Sequence, residues 1–183
     1  MRFVLPIAHG VQVRSVHNAI LRNQTLWNRH RERNVGPHDG VDDIWVRYND
    51  YRNFDPQNPA AFNDLHDSVW YPAYHDLRAI DDIIFPLMAQ VKAERLGGVL
   101  ITRISPGKEV KWHVDRGWHA EYYDKYAVQI AAHPQQAWHC RDGALVTAPG
   151  DIYWFNNQAE HRVTNDSPED RITLIVCLRH SKS

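Results

Sequence analysis

His113 and Asp115, two residues apart, are followed by a lone His161 and then by Arg171. Two imidazoles and one carboxylate on one side of a divalent iron leave the opposite coordination positions open, as ferrous chemistry with small oxidants requires. An arginine beside such a centre supplies a fixed cation that grips a carboxylate through two parallel hydrogen bonds. The set therefore points to an iron site that accepts a dicarboxylic acid. Each member is weak alone. A single histidine more often serves as a hydrogen-bonded structural group, and the plain alternative for Arg171 is an ion pair with Glu169 or Asp170. The spacing carries more than the residue types do.

Positioning these groups calls for strands. Val110, Trp112 and Val114 alternate with Lys111, His113 and Asp115, which predicts a strand carrying the last two on one face. The third ligand must come from a strand distant in sequence. His161 follows the Pro149-Gly150-Asp151 turn and an aromatic strand over 152–155, at the entrance to the next strand. The turn-rich stretch 165–170 then predicts a hairpin that returns Arg171 to the neighbourhood of His161. Further strands are predicted over 99–104, 126–131, 136–140, 144–147 and 171–178. A type II turn is expected at Ser105-Pro106-Gly107-Lys108 and a hairpin at Asp142-Gly143. Many short strands at close intervals predict a sandwich or barrel, best a double-stranded β-helix (a jelly roll, cupin-like).

The first half differs. Val16, Ile20 and Trp27 approach helical spacing with Ser15 as a cap, and Ile44, Val46 and Tyr48 alternate as a strand. Residues 49–59 predict a loop. A second helix is expected over 86–96, opened by Pro86 and stopped by Gly97-Gly98. The expectation is a mainly β fold in one domain, 1–183. Within it, residues 1–98 form a helix-rich flank with an edge strand, and 99–179 form the jelly-roll core.

The chain has 183 residues and a net charge of -1, so it lacks the basic footprint of a general nucleic-acid binder. Arg22, Arg29, Arg31 and Arg33 read as the solvated side of a helix. Cys140 and Cys177 have no C-x-x-C spacing and read as reduced core residues. The apolar start from Phe3 to Ala8 is shorter than a signal-peptide core, and no run reaches membrane-span length, so a cytoplasmic protein without a membrane partner is expected. Most of the 12 histidines need an ordinary explanation. His66-Asp67 and His75-Asp76 imitate the pairs of metal phosphohydrolases, but that chemistry belongs to all-helical domains. His133 and His139 are expected at the surface. His9, His17, His30, His38 and His180 show no recognisable spacing.

Arg103-Ile104-Ser105-Pro106-Gly107, His113-Val114-Asp115, Pro149-Gly150-Asp151, His161 and Arg171 together resemble the Fe(II)/2-oxoglutarate-dependent dioxygenases. Within them the likeness is to the aspartyl/asparaginyl β-hydroxylase-like group, which includes free-proline hydroxylases. It covers about residues 99–178, with a weaker part around 44–48. Some aspartyl hydroxylases lack the carboxylate ligand, whereas this chain has Asp115.

The resemblance implies Fe(II), 2-oxoglutarate and dioxygen, with ascorbate as a stimulant. It further implies hydroxylation of an amino-acid or peptidyl side chain of the Asp, Asn or Pro type, coupled to conversion of 2-oxoglutarate into succinate and carbon dioxide. His113, Asp115 and His161 would hold the metal, Arg171 the far carboxylate of 2-oxoglutarate, and Gln129 a second contact. Trp118, His119 and Tyr122 lie in an aromatic stretch, 116–125, that would form the substrate lip, with Arg103 and Arg116 available to a substrate carboxylate. Two other readings stay open: a noncatalytic cupin-like module binding a metal or small acid, and an oxygenase acting on a nucleobase or other small molecule.

Overall fold

Strand alternation organises the core of the computed structural model, which describes residues 1–34 and 36–181. The strands are β1 (Val4–Ala8), β2 (Asp42–Tyr48), β3 (Val69–Trp70), β4 (Arg95–Ile104), β5 (Glu109–His113), β6 (Asp124–Ala131), β7 (Gln136–Cys140), β8 (Gly143–Leu145), β9 (Ile152–Phe155), β10 (His161–Asn165) and β11 (Arg171–Arg179). They pair antiparallel into a large sheet, β1-β9-β6-β11-β4-β2-β3, and a small one, β5-β10-β7-β8. The helices are α1 (Arg14–Arg22), α2 (Ala73–Asp76), α3 (Asp81–Gln90) and α4 (Trp118–Tyr122).

The central strand β11 shows why the layers form. Ile172, Leu174, Val176 and Leu178 point to one face, where they pack with Val16 and Ile20 of α1 and with Ile83, Ile84 and Leu87 of α3. Each such buried aliphatic side chain contributes roughly 1.5–3 kcal/mol. Arg171, Thr173, Ile175 and Cys177 point to the other face, into a cavity between the sheets. On β4 the same period sends Val99 and Ile101 to the helices and Leu100, Thr102 and Ile104 to the cavity. The result is the expected jelly roll, with helices outside the larger sheet. Among the described residues no helix is long and apolar enough to cross a membrane.

Several local expectations are corrected. The first helix is capped at Val13 without a side-chain bond and ends at Asn23, so Ser15 lies inside it and Trp27 beyond it. The second helix starts earlier, at Asp81, and carries Pro86 in its interior. Two acidic residues in its first turn and a buried apolar face outweigh the proline. Gly97-Gly98 does not stop a helix but belongs to β4, where a Cβ on Gly97 would meet the Tyr123 ring at 2.7 Å. Most of the stretch 3–8 that read as an apolar start, from Val4 to Ala8, forms β1, paired to β9. The turn before β5 is as expected: Gly107 has φ +72° and Lys108 N–H donates to the Ser105 carbonyl at 3.0 Å.

The 165–170 connector does not make a hairpin. β10 lies in the small sheet and β11 in the large one, so the connector crosses between layers. Asn165 fastens the crossing, its amide donating to the carbonyls of Ile104 and Glu169, both at 2.7 Å.

Candidate active site

β5 is an edge strand of the small sheet, and simple alternation fails on it. Its pairing with β10 shifts between Val163↔Val110 and His161↔His113, so β5 carries one extra residue. The bulge puts Val110 and His113 both on the cavity wall and turns Trp112 outward, 45% exposed. Asp115 lies past the strand end, where its backbone N–H donates to the Asn157 carbonyl at 3.0 Å. The bulge and this anchor, rather than a shared strand face, bring His113 and Asp115 together.

His113 and His161 are direct cross-strand neighbours with ring centroids 4.3 Å apart, and ligand atoms of His113, Asp115 and His161 all lie within 4.8 Å of one another. Both imidazoles face a carbonyl two residues back: Nδ1 of His113 to Lys111 and Nδ1 of His161 to Ala159, each at 2.8 Å. A carbonyl only accepts, so each Nδ1 is the donor and each Nε2 keeps a free lone pair. That is the orientation a divalent cation needs from a ligating histidine. Trp138 stacks on His161 at 5.6 Å and fixes its plane.

Electrostatics also suit a cation. Burial pushes the Asp115 carboxyl up, but the Lys125 ammonium first, with the His113 and His161 rings close by, holds it well below the ordinary carboxylate range. Lys125 Nζ donates to Asp115 Oδ2 at 2.5 Å, while Oδ1 stands 3.5 Å from His113 Nε2. One carboxylate oxygen is thus engaged and the other faces the imidazoles. Burial lowers His161 to about 4 against the opposing pull of Asp115, so it is neutral near pH 7. The donor set of two nitrogens and one carboxylate oxygen fits ferrous iron with open positions.

Arg171 enters the same cavity from the first residue of β11 and is 1% exposed. Its guanidinium donates to Tyr153 Oη at 3.3 Å and to Thr147 Oγ1 at 3.5 Å, and its Nε has no partner. Among the described residues no carboxylate pairs with it. The surface ion pair weighed for Arg171 is absent there, and Asp170 approaches Arg103 instead, at 4.0 Å. A buried cation lacking a counterion is costly and attracts an anion from solution.

The other expected residues divide. Arg116 and His119 line the cavity, the first exposed and the second buried. Trp118 and Tyr122 do not: they stack on each other at 4.5 Å, and Arg179 covers Tyr122 at 4.5 Å. Arg103 is also engaged elsewhere, paired to Asp42 at 2.6 Å and lying 4.5 Å over Trp27. Gln129 is fully buried and its hydrogen-bonding capacity is used. It donates to the Ala131 and Ile172 carbonyls at 2.6 and 2.9 Å and accepts from Thr147 at 3.1 Å. It stands one bond behind Arg171, steadying Thr147, rather than on the cavity wall.

Sequence reasoning missed Lys125, Arg33 and His38, all of which line the cavity. Lys125 was within reach, since one more step back along the Ala127–Gln129 alternation lands on it. The other two lie in irregular chain before β2 that has no period. His38 meets His113 edge-on at 4.8 Å; burial, then Arg33 and His113, push it down to about 3, so it adds no charge. The cavity itself holds about 320 Å³, near the lower end of small-molecule sites.

No protein-family model matches the chain, and no curated protein matches it. Solved structures do. A 2OG-Fe(II) oxygenase family oxidoreductase from Burkholderia pseudomallei aligns over 87% of this chain and 77% of its own, with 15% identity and a TM-score of 0.53. A Pseudomonas putida prolyl-4-hydroxylase aligns over 98% and 93%, with 14% identity and a TM-score of 0.52. A prolyl hydroxylase from Trichoplax adhaerens, in complex with a hypoxia inducible factor oxygen degradation domain peptide fragment, aligns over 96% and 82%, with 10% identity and a TM-score of 0.62. The fold is that of the 2OG-Fe(II) oxygenases. At these identities the likeness is one of architecture, and the chemistry rests on the side chains described above.

Proposed function

We propose that this protein is an Fe(II)/2-oxoglutarate-dependent dioxygenase that hydroxylates an amino-acid or peptidyl side chain. One observation carries the proposal: the buried Arg171, without a carboxylate partner among the described residues, opens into the same cavity as His113, Asp115 and His161. A metal-binding module would need the three ligands but not the arginine. A dicarboxylic cosubstrate needs both, one end at the metal and the other at the guanidinium.

In this assignment His113, Asp115 and His161 hold iron, which supplies the oxidising chemistry when bound. The protein's own work is orientation. The carbonyls of Lys111 and Ala159 fix the two imidazoles, and Lys125 holds one oxygen of Asp115. Tyr153 and Thr147 aim Arg171, with Gln129 behind Thr147. Leu100, Ile104 and Phe155 give the cavity an apolar wall that excludes water from the reacting carbon. The overall change is balanced: one substrate C–H becomes C–OH, while dioxygen and 2-oxoglutarate give that oxygen, succinate and carbon dioxide. The peptide held by the Trichoplax hydroxylase is consistent with a side chain as substrate.

The test is succinate formation from 2-oxoglutarate with Fe(II), ascorbate and dioxygen, alongside calorimetric 2-oxoglutarate binding. Metal-dependent binding and turnover, both lost in His161→Ala, are expected. A protein that binds metal but not 2-oxoglutarate would refute the assignment in favour of a noncatalytic module.

A further inference from the structure

Arg33 has no role in the scheme above. It reaches the cavity from irregular chain before β2, with its side chain 22% exposed. Its guanidinium lies 5.2 Å over the Tyr48 ring, and both side chains line the cavity. Tyr48 is in turn held by its hydroxyl, which donates to Asn63 Oδ1 at 2.6 Å. Among the described residues Arg33 makes no side-chain hydrogen bond; its nearest acid, Asp43, stands 3.9 Å away, beyond hydrogen-bond reach. Burial pushes the Asp43 carboxyl up to about 6 despite Arg33, so at pH 7 it is still mostly ionised and acts on Arg33 as a nearby charge without a hydrogen bond. Arg103, Arg52 and Arg95, by contrast, each hold an aspartate. A donor fork over a ring in a cavity, without a hydrogen-bond partner among the described residues, suits a second carboxylate.

We propose that Arg33 binds a carboxylate of the substrate and so selects acidic substrates for the iron site. The inference rests on the proposed function and extends it, with Arg171 serving 2-oxoglutarate and Arg33 serving the molecule to be oxidised. The shared chemistry is a carboxylate, which a free amino acid or small organic acid carries at its terminus and a peptide carries on Asp or Glu. Both arginines line a cavity whose wall also carries apolar side chains such as Leu100, Ile104 and Val110. Arg116, exposed at the cavity, adds attraction for such anions but is not fixed in direction.

The experiment compares substrate-stimulated carbon dioxide release by the iron-loaded wild-type protein across three sets of probes. These are the standard amino acids and small monocarboxylic acids, the primary carboxamides of each, and end-blocked peptides containing Asp or Glu. Acids are expected to stimulate at least tenfold better than their carboxamides; the first set leading identifies a free acid, and the third a peptidyl one. Arg33→Gln is expected to raise KM for the preferred acid at least tenfold, to erase the acid-over-amide preference, and to change KM for 2-oxoglutarate much less than Arg171→Met does. Arg33→Lys, which keeps the charge without the fork, is expected to fall between. No stimulation by any acid, or an acid-over-amide preference unchanged in Arg33→Gln, would overturn the proposal. Calorimetric 2-oxoglutarate binding to the wild-type protein separates the two levels: absent binding sinks the oxygenase assignment, while normal binding with an unchanged preference sinks only the role of Arg33.

Discussion

Replacing Arg171 by methionine separates a ligand-binding arginine from a structural one by the sign of the stability change. In the ligand-free protein Arg171 is 1% exposed, has two long hydrogen bonds to neutral hydroxyls, and has an orphaned Nε. Burying an ion costs several kcal/mol, and neutral donors at such distances return little of it. A methionine side chain at this position would fill similar volume without that cost, so the ligand-free variant is expected to gain about 1–2 kcal/mol. In a chain of this size 1 kcal/mol moves Tm by about 2–4 °C, giving a rise of roughly 2–8 °C. The same change should remove a charge-assisted contact to 2-oxoglutarate of ~1.5–3 kcal/mol, weakening its binding about 10- to 150-fold. Wild-type protein with Mn(II) and 2-oxoglutarate at a hundred times Kd should gain about 2.7 kcal/mol, whereas the variant at the same concentration should gain only about 0.3–1.4 kcal/mol. Scanning calorimetry on both proteins, with and without 2-oxoglutarate, reads all these quantities. A variant that melts lower without ligand yet binds 2-oxoglutarate normally would show that Arg171 is structural.

Three further outcomes test the surroundings of the cavity. His119 is buried, and burial first, then Lys125, His66 and Arg33, push it down to about 2, whereas the unfolded chain protonates it near 6.5. Between those values the unfolded state binds more protons, so this contribution to stability is present above pH 6.5 and is lost as pH falls. His119→Phe should flatten the fall between pH 6 and pH 4 by up to about 1.4 kcal/mol per pH unit in urea titrations; an unaltered slope contradicts the neutral imidazole. Lys125→Met leaves the buried Asp115 carboxylate without its cation and should cost the metal-free protein about 3–5 kcal/mol. The loss should shrink in the Mn(II) form, where a divalent ion replaces the ammonium, and equal losses in both forms would argue against metal at Asp115. Gly97→Ala drives a Cβ to 2.7 Å from the Tyr123 ring and should cost ~1–3 kcal/mol, with Tyr123→Leu in the same chain recovering most of it.

Alternation is most readable on the central strand β11, which has hydrogen-bonded neighbours on both sides. β11 obeys it through its length, which is why Ile172, Leu174 and Val176 turn to the helices while Arg171 and Thr173 turn to the cavity. β5 has a neighbour on one side only, and its bulge shifts the phase between Val110 and His113. The pair at 113 and 115 was legible as chemistry, yet the face argument that joined them described the wrong geometry. The hairpin expected before Arg171 failed for a related reason. A turn-rich connector shows where the chain reverses but not whether it returns to its own sheet, and here Asn165 ties it to Ile104 across the layers. Gly97-Gly98 has the composition of a helix stop, and only the Tyr123 ring above it shows the use of the missing side chain.

Charge in irregular chain is the harder case, because it has neither period nor partner to mark its direction. Arg22, Arg29, Arg31 and Arg33 read as one solvated helical face, but α1 ends at Arg22 and the other three follow separate courses. Arg29 donates to the Thr25 carbonyl at 2.9 Å, whereas Arg33 turns into the cavity over Tyr48. The Arg33 guanidinium meets Tyr48 at the end of β2. Substitution at Tyr48 should accordingly weaken whatever Arg33 holds: Tyr48→Leu removes the ring beneath the guanidinium while keeping an apolar side chain in the cluster with Trp45 and Phe62. If Arg33 is the substrate's anchor, Tyr48→Leu should raise KM for that acid several-fold and leave 2-oxoglutarate affinity near the wild-type value, because the ring under the fork is lost but its charge remains. Parallel loss of both affinities would instead mark Tyr48 as a support for the whole cavity and remove the reason to treat Arg33 as separately aimed.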